Sequence, residues 1–231
     1  MFSPYNRMGN TLRLQKKITS LTEASQISDS VLRGHNRYHY ALIHKLKSAL
    51  SHFNNLRDSL ENTDVATVIP NSHEFLNKVN MHLDSFFYCS GSALDILARE
   101  TLTYFNIPLP NNVYFQTART LLQQQRPGDT IITRLDRPNW KEEFSTYRNA
   151  LTHEVLIGTN YTIQVNLEGQ NNHTVIVFPL PDDPRLDEKT YRINPNALDY
   201  CESRFRRILS LINVIHGEIE SRARAQNSLP L

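Results

Sequence analysis

The sequence predicts an all-α fold, an up-and-down helical bundle with one β-hairpin insertion before its last helix. Three observations lead there. Apolar residues recur every three or four positions through most of the chain, the mark of helices with one buried stripe. Of 231 residues only 7 are Gly, under half of the usual share of about 7%, so few are left for tight turns. The period shortens to two in a single region, between Tyr161 and Phe178.

Residues 1–10 read as a mobile start, 11–225 as one domain that includes a hairpin and loop insertion at 159–195, and 226–231 as a frayed tail. Thr11 to Leu32 is polar and weakly periodic, with Leu14, Ile18, Leu21 and Ala24 at helical spacing. From Arg33 to Leu60 the residues Tyr38, Leu42, Leu46, Ala49, Phe53, Leu56 and Leu60 form one continuous stripe. After Pro70, Asn71 followed by Glu74 resembles a capping box. The helix it opens carries Phe75, Val79, Leu83, Phe86, Ser90, Leu94, Leu97, Thr101 and Phe105 on one face, with Gly91 allowing a close approach by a neighbour. Ile107 to Pro110 stops it. Asn111 or Asn112 then caps a shorter helix to Gln125, which Pro127-Gly128 ends.

Pro138, Asn139 and Glu142 open the next helix, expected to run to Leu156 with Gly158 as its C-terminal cap. Tyr161–Leu167 and Thr174–Phe178 are β-branched and aromatic runs separated by a polar turn, hence the hairpin. Pro179 to Pro195 is loop. Asn194 and Pro195 begin the last helix, with Leu198, Cys201, Phe205, Ile208, Leu209, Ile212 and Ile215 buried and fraying expected after Ala223.

Composition narrows the function. Lys plus Arg number 25 against 23 Asp plus Glu, a net charge of +2, so binding to a polyanion would have to come from local clusters. Two cysteines, Cys89 and Cys201, make neither a disulfide framework nor a zinc signature. With no apolar run long enough to span a bilayer and no signal-like start, the expected location is the cytoplasm.

The chemistry concentrates in Tyr147-Arg148-Asn149-Ala150-Leu151-Thr152-His153. At about 100° per residue, Trp140, Phe144, Tyr147, Leu151 and Val155 face the core, while Asn149 and His153 lie one turn apart on nearly the opposite side. Arg148 stands at the stripe's edge, about 140° from His153. A guanidinium offers a charged fork to phosphoryl oxygens, and an imidazole exchanges protons near neutral pH. On spacing alone, an Arg and a His five residues apart usually belong to a solvated face.

Arg148-Asn149-x-x-x-His153, late in a helical bundle and followed by one long helix, resembles the signature of the HEPN superfamily (higher eukaryotes and prokaryotes nucleotide-binding). The resemblance covers the motif and, in helix order, Asn71 to about Arg224. It implies a metal-independent endoribonuclease that requires no cofactor and pairs as a homodimer around one RNA-binding cleft. Such enzymes often serve toxin-antitoxin or defence systems, which would add a cognate antitoxin or regulatory protein as partner. Carried over to this sequence, Arg148 would stabilise the charged phosphorane, His153 would act as acid or base, and Asn149 would orient His153 or bind a phosphate oxygen. The hairpin departs from a minimal bundle, and the helices before Asn71 have no counterpart. The alternative is a non-catalytic HEPN-like module that binds nucleotide, RNA or a protein partner.

Secondary candidates surround this motif. Arg204, Arg206 and Arg207 are expected to bind RNA phosphates, with Lys16, Lys17, Arg33, Arg37, Arg222 and Arg224 as further basic clusters. Asp84 and Asp95, eleven residues apart, share a helix face and are possible acidic support. His35-x-x-x-His39 puts two imidazoles on one face, but no third ligand is indicated, so an exposed polar face is favoured over a metal site. Cys89 reads as a small core residue, and Phe86, Phe87 and Tyr88 as core or interface.

Overall fold

The computed structural model describes residues 13, 16, 29–136, 140–153, 161–166, 173–191 and 196–227; within these, the side chains of 29–35, 136, 141, 152–153, 165–166, 173–175, 223 and 226–227 are outside the description. The expected mobile start at 1–10, most of the helix expected from Thr11 to Leu32 and most of the tail at 226–231 fall outside the described residues; the end of that expected helix, from Asp29, instead belongs to the helix that runs on to Glu61. So do the predicted caps at Asn139, Gly158 and Asn194.

Among the described residues there are seven helices: α1 Asp29–Glu61, α2 Val65–Val68, α3 Ser72–Tyr104, α4 Phe115–Gln125, α5 Thr130–Asp136, α6 Lys141–His153 and α7 Ala197–Asn227. Strands β1 Thr162–Asn166 and β2 His173–Val177 lie between α6 and α7. They pair antiparallel, from Thr162 opposite Val177 to Asn166 opposite His173. The all-α bundle with a hairpin before its last helix is therefore what the chain forms. No helix among the described residues is long and apolar enough to cross a membrane.

The chain divides into two compact units, each drawing on the long helices. The first comprises Met1–Leu46, Ser92–Asn139 and Phe205–Leu231; the second comprises Lys47–Gly91 and Trp140–Arg204.

In the first unit, α3 ends in a paired cap that the sequence reading placed one step late, at Ile107. Asn106 takes a left-handed φ of 54°, the Ile107 amide donates to the Leu102 carbonyl at 2.9 Å, and the Asn106 amide donates to Thr103 at 3.0 Å. Leu102 and Ile107 are both buried beside it, as this motif requires. The start of α4 corrects a prediction. Neither Asn111 nor Asn112 caps it; the helix begins at Phe115, whose amide donates to the Asp95 carboxylate at 3.2 Å. The acceptor comes from another helix, which no local pattern reveals. Helix α5 has no counterpart in the prediction, and its first turn is organised by Asp129, which accepts the Ile131 amide at 3.0 Å.

Arg222 of α7 closes this end of the unit. It donates to both carboxylate oxygens of Asp129, at 2.8 and 2.6 Å, and to Glu218 at 3.0 Å, with its guanidinium over the Phe105 ring.

The second unit is built on rings. Phe87 of α3 is fully buried, with Phe144 at 5.3 Å, Phe86 and Tyr147 at 5.7 Å and Tyr200 at 5.9 Å between centroids. The Tyr147 hydroxyl donates to the Pro181 carbonyl, tying the loop after the hairpin to α6. Two caps differ from prediction. The Asn71 side chain does not cap α3; it donates to the Thr67 carbonyl at 3.1 Å, finishing α2. The described start of α7 is capped by Asn196, whose side-chain oxygen accepts the Leu198 amide at 3.3 Å and the Phe178 amide at 3.4 Å. Helix α7 also continues past Ala223 to Asn227.

Two expectations follow. Phe87→Ala removes the centre of the ring cluster and should cost about 3–5 kcal/mol, whereas Leu151→Ala, at a half-buried position, should cost clearly less; urea unfolding checks both. The second concerns acid. Hydrogen bonds from Arg222 head the causes that hold Asp129 below its ordinary 3.8, and Glu218 is lowered first by the Thr130 hydroxyl and then by Arg222, against the opposing effect of partial burial. A depressed carboxyl pKa contributes stability that is full above the unfolded value and lost as pH falls through the folded one. Arg222→Met should therefore cost about 2 kcal/mol at pH 7, between the ranges of exposed and buried pairs, and should flatten the stability profile below about pH 4.

Candidate functional site

Helix α6 positions the Arg-Asn-x-x-x-His motif, and its inner face is as the periodicity requires: Trp140, Phe144 and Tyr147 are buried. Ala150 is buried as well and Leu151 only partly, so the stripe leans toward Ala150. Asn149 is exposed and Arg148 half-buried at the edge of the stripe. His153 is the last residue of the helix, and its side chain lies outside the described residues.

Arg148 lies against Gly91 of α3. A Cβ placed on Gly91 would stand 2.5 Å from both Cδ and Nε of Arg148 and 2.9 Å from its Cζ. The outer half of the arginine occupies space that any side chain at residue 91 would take. The close approach anticipated at Gly91 is thus made by an arginine side chain.

The remaining candidates separate. Asp84 is exposed, with its carboxyl raised by partial burial. Asp95 is engaged at the start of α4 by the Phe115 amide. The two belong to different units. Arg204 pairs with Glu143 and stacks on the Tyr200 ring, 4.6 Å from its centroid. Only 12% of its side chain is exposed, so its charge is already engaged inside the fold. Arg206 is half-buried and Arg207 exposed, and both lie in the first unit. Of the other basic residues, Arg222 is consumed by Asp129 and Glu218, and Arg224 pairs with Glu220 at 2.7 Å. Lys16 and Arg37 are exposed, whereas Lys17 and the Arg33 side chain are outside the described residues.

Both cysteines are buried and unbridged, and burial pushes the Cys201 thiol far up. Each is a packing residue. Phe86 and Phe87 are buried, while Tyr88 is exposed.

His39 overturns its prediction. It is 1% exposed, and its Nδ1 lies 3.3 Å from Glu100 Oε1. His216 Nε2 lies 3.0 Å from Glu100 Oε2, with His216 and Glu100 both at 0% exposure. The third group missing from the His35-His39 pattern thus comes from α3 and α7, and the His35 side chain lies outside the described residues. The signal was phase: Glu100 and His216 fall on the buried stripes, at Leu97 plus three and Ile212 plus four.

Compared with known protein families, with curated proteins and with solved structures, the chain finds no match in any of the three.

The glycine contact yields an expectation. Gly91→Ala should leave stability unchanged or raise it by up to about 1 kcal/mol, because alanine favours the helix and the group in its way is the flexible end of a side chain. Arg148 must then move, seen as a changed Nε–H resonance. A loss of more than about 2 kcal/mol in denaturant, the mark of an overpacked core, would instead show Arg148 locked in place.

Proposed function

We propose that the chain is a metal-independent endoribonuclease of HEPN type, with Arg148, Asn149 and His153 as its working residues. The observation that carries this reading is the Arg148 side chain laid across Gly91 beside the exposed Asn149. The missing side chain at residue 91 leaves room for the arginine's outer half next to a polar residue on the outer face, where its guanidinium can meet phosphoryl oxygens.

In this reading the ribose 2′-oxygen attacks the adjacent phosphorus. The new O–P bond forms as the bond to the 5′-oxygen breaks, and the 2′-hydroxyl proton is taken up while the departing 5′-oxygen receives one. His153 moves a proton in this exchange, Arg148 stabilises the charge on the phosphorane, and Asn149 orients His153 or holds a phosphate oxygen. These roles use no metal and no cofactor. Arg206 and Arg207 are the proposed phosphate contacts, and Arg204 joins them only by exchanging Glu143 for phosphate. Pairing two copies doubles the Arg and His of one motif, which favours a homodimer. A cytoplasmic toxin-antitoxin or defence setting, with an antitoxin or regulatory protein as partner, belongs to the same proposal.

The test is the chemistry of the cut ends. Wild-type protein should convert RNA to fragments with 2′,3′-cyclic phosphate and 5′-hydroxyl ends, with EDTA present throughout. His153→Ala should lose at least about 100-fold in rate, with stability within about 0.5 kcal/mol. A 5′-phosphate on the products would withdraw the roles given to all three residues. RNA that is bound but never cut would establish the non-catalytic binding module instead.

A further inference from the structure

We propose that His39, Glu100 and His216 form a buried site for one divalent transition-metal ion of the zinc type, clipping α1, α3 and α7 together within the first unit. Their ligand-capable atoms all lie within 4.8 Å of one another, and all three residues are buried.

The geometry suits an ion. Two ligands bound to zinc at about 2.0–2.1 Å in a tetrahedron stand roughly 3.3 Å apart; His39 approaches Oε1 of Glu100 at 3.3 Å and His216 approaches Oε2 at 3.0 Å, so the carboxylate faces both rings at that range. Each imidazole already directs one ring nitrogen at the carboxylate. The remaining edge, between the two histidine ligand atoms, is no longer than 4.8 Å.

The energetics point the same way. Burying the Glu100 carboxylate, at 0% exposure, carries a desolvation cost that positive charge beside it offsets. A divalent ion supplies that charge. His39 Nε2 and His216 Nδ1, the outer ring nitrogens, are buried and have no hydrogen-bond partner among the described residues. Turning both lone pairs toward the ion places a proton on each outer nitrogen, where no acceptor meets it, a cost that the metal bonds must exceed.

Donor chemistry selects the ion. Two imidazole nitrogens and one carboxylate oxygen fit zinc, cobalt or ferrous iron, and disfavour magnesium and calcium, which take oxygen ligands. Because the three ligands come from positions far apart in sequence, binding reinforces the folded state of the first unit.

The experiment uses the untagged full-length chain, stripped with chelator, desalted, and titrated with Zn2+, Co2+ or Mg2+. Expected are one bound Zn2+ or Co2+ per chain and visible absorption from the Co2+ form. The melting temperature should rise by roughly 5–10 °C at a hundred-fold excess of free ion over Kd, with no response to millimolar Mg2+. Glu100→Gln keeps size and hydrogen bonding while removing the anionic ligand, and should weaken binding at least tenfold. An independent wild-type readout is the ring-nitrogen NMR spectrum, in which Zn2+ should shift two of the nine histidines. The proposal is overturned by a wild-type chain that retains no zinc or cobalt, by undiminished affinity in folded Glu100→Gln, or by shifts confined to exposed histidines such as His44. None of these readouts involves RNA cleavage.

Discussion

From Cys89 to Tyr104 no residue of α3 is exposed, and the rest of the structure answers to that constraint. With so little of this stretch open to water, most of its polar groups are met by partners within the protein, although the buried Ser90 hydroxyl has none among the described residues. Thr101 turns its hydroxyl back to the Leu97 carbonyl at 2.8 Å, Asp95 takes the first amide of α4, and Glu100 receives two imidazoles. Gly91 meets the same constraint differently, because it has no side chain to place and its space goes to Arg148. The first half of the helix is freer, and its exposed residues, among them Asn77, Met81, Asp84 and Tyr88, lie along one strip.

The termini of the elements follow a related economy. Helix ends leave amides and carbonyls without intrahelical partners, and this chain satisfies several through asparagine and aspartate. Asp64 accepts the Ala66 amide at the start of α2, Asn106 supplies the left-handed turn after α3, and Asn196 holds both the start of α7 and the chain leaving the hairpin. Few glycines are needed when asparagine takes a left-handed position, which is how a chain with so little Gly still turns.

The long elements were legible because burial imposes a period. The stripes read for α1 and α7 are buried from Leu42 to Leu60 and from Leu198 to Ile215, and the hairpin stands where the alternation placed it. What escaped was set by partners distant in sequence. Asp95 cannot be recognised as the cap of a helix that begins twenty residues later, and Asn71 obeys a capping pattern while serving the preceding turn. The same holds for the candidate sites. The edge position of Arg148 was readable from the helical wheel, but Gly91 beneath it was not assignable to it. His39 read as exposed because the His35-His39 pattern indicated no third ligand, and only the fold brings Glu100 and His216 to it.

Charge gives the sharpest case of that distance effect. Arg204, Arg222 and Arg224 look like a basic surface in the sequence, yet each has a carboxylate within hydrogen-bonding reach: Glu143, then Asp129 and Glu218, then Glu220. Net charge and clustering count residues, whereas affinity for a phosphate depends on cations not already satisfied. Gly91 and Glu100 add a converse point. Gly91, in the second unit, makes room for an arginine, and Glu100, in the first, draws an imidazole pair. The two candidate sites are separate in chemistry for that reason: one is made by leaving a side chain out of a crowded face, the other by placing an anion where only a cation or a proton can balance it.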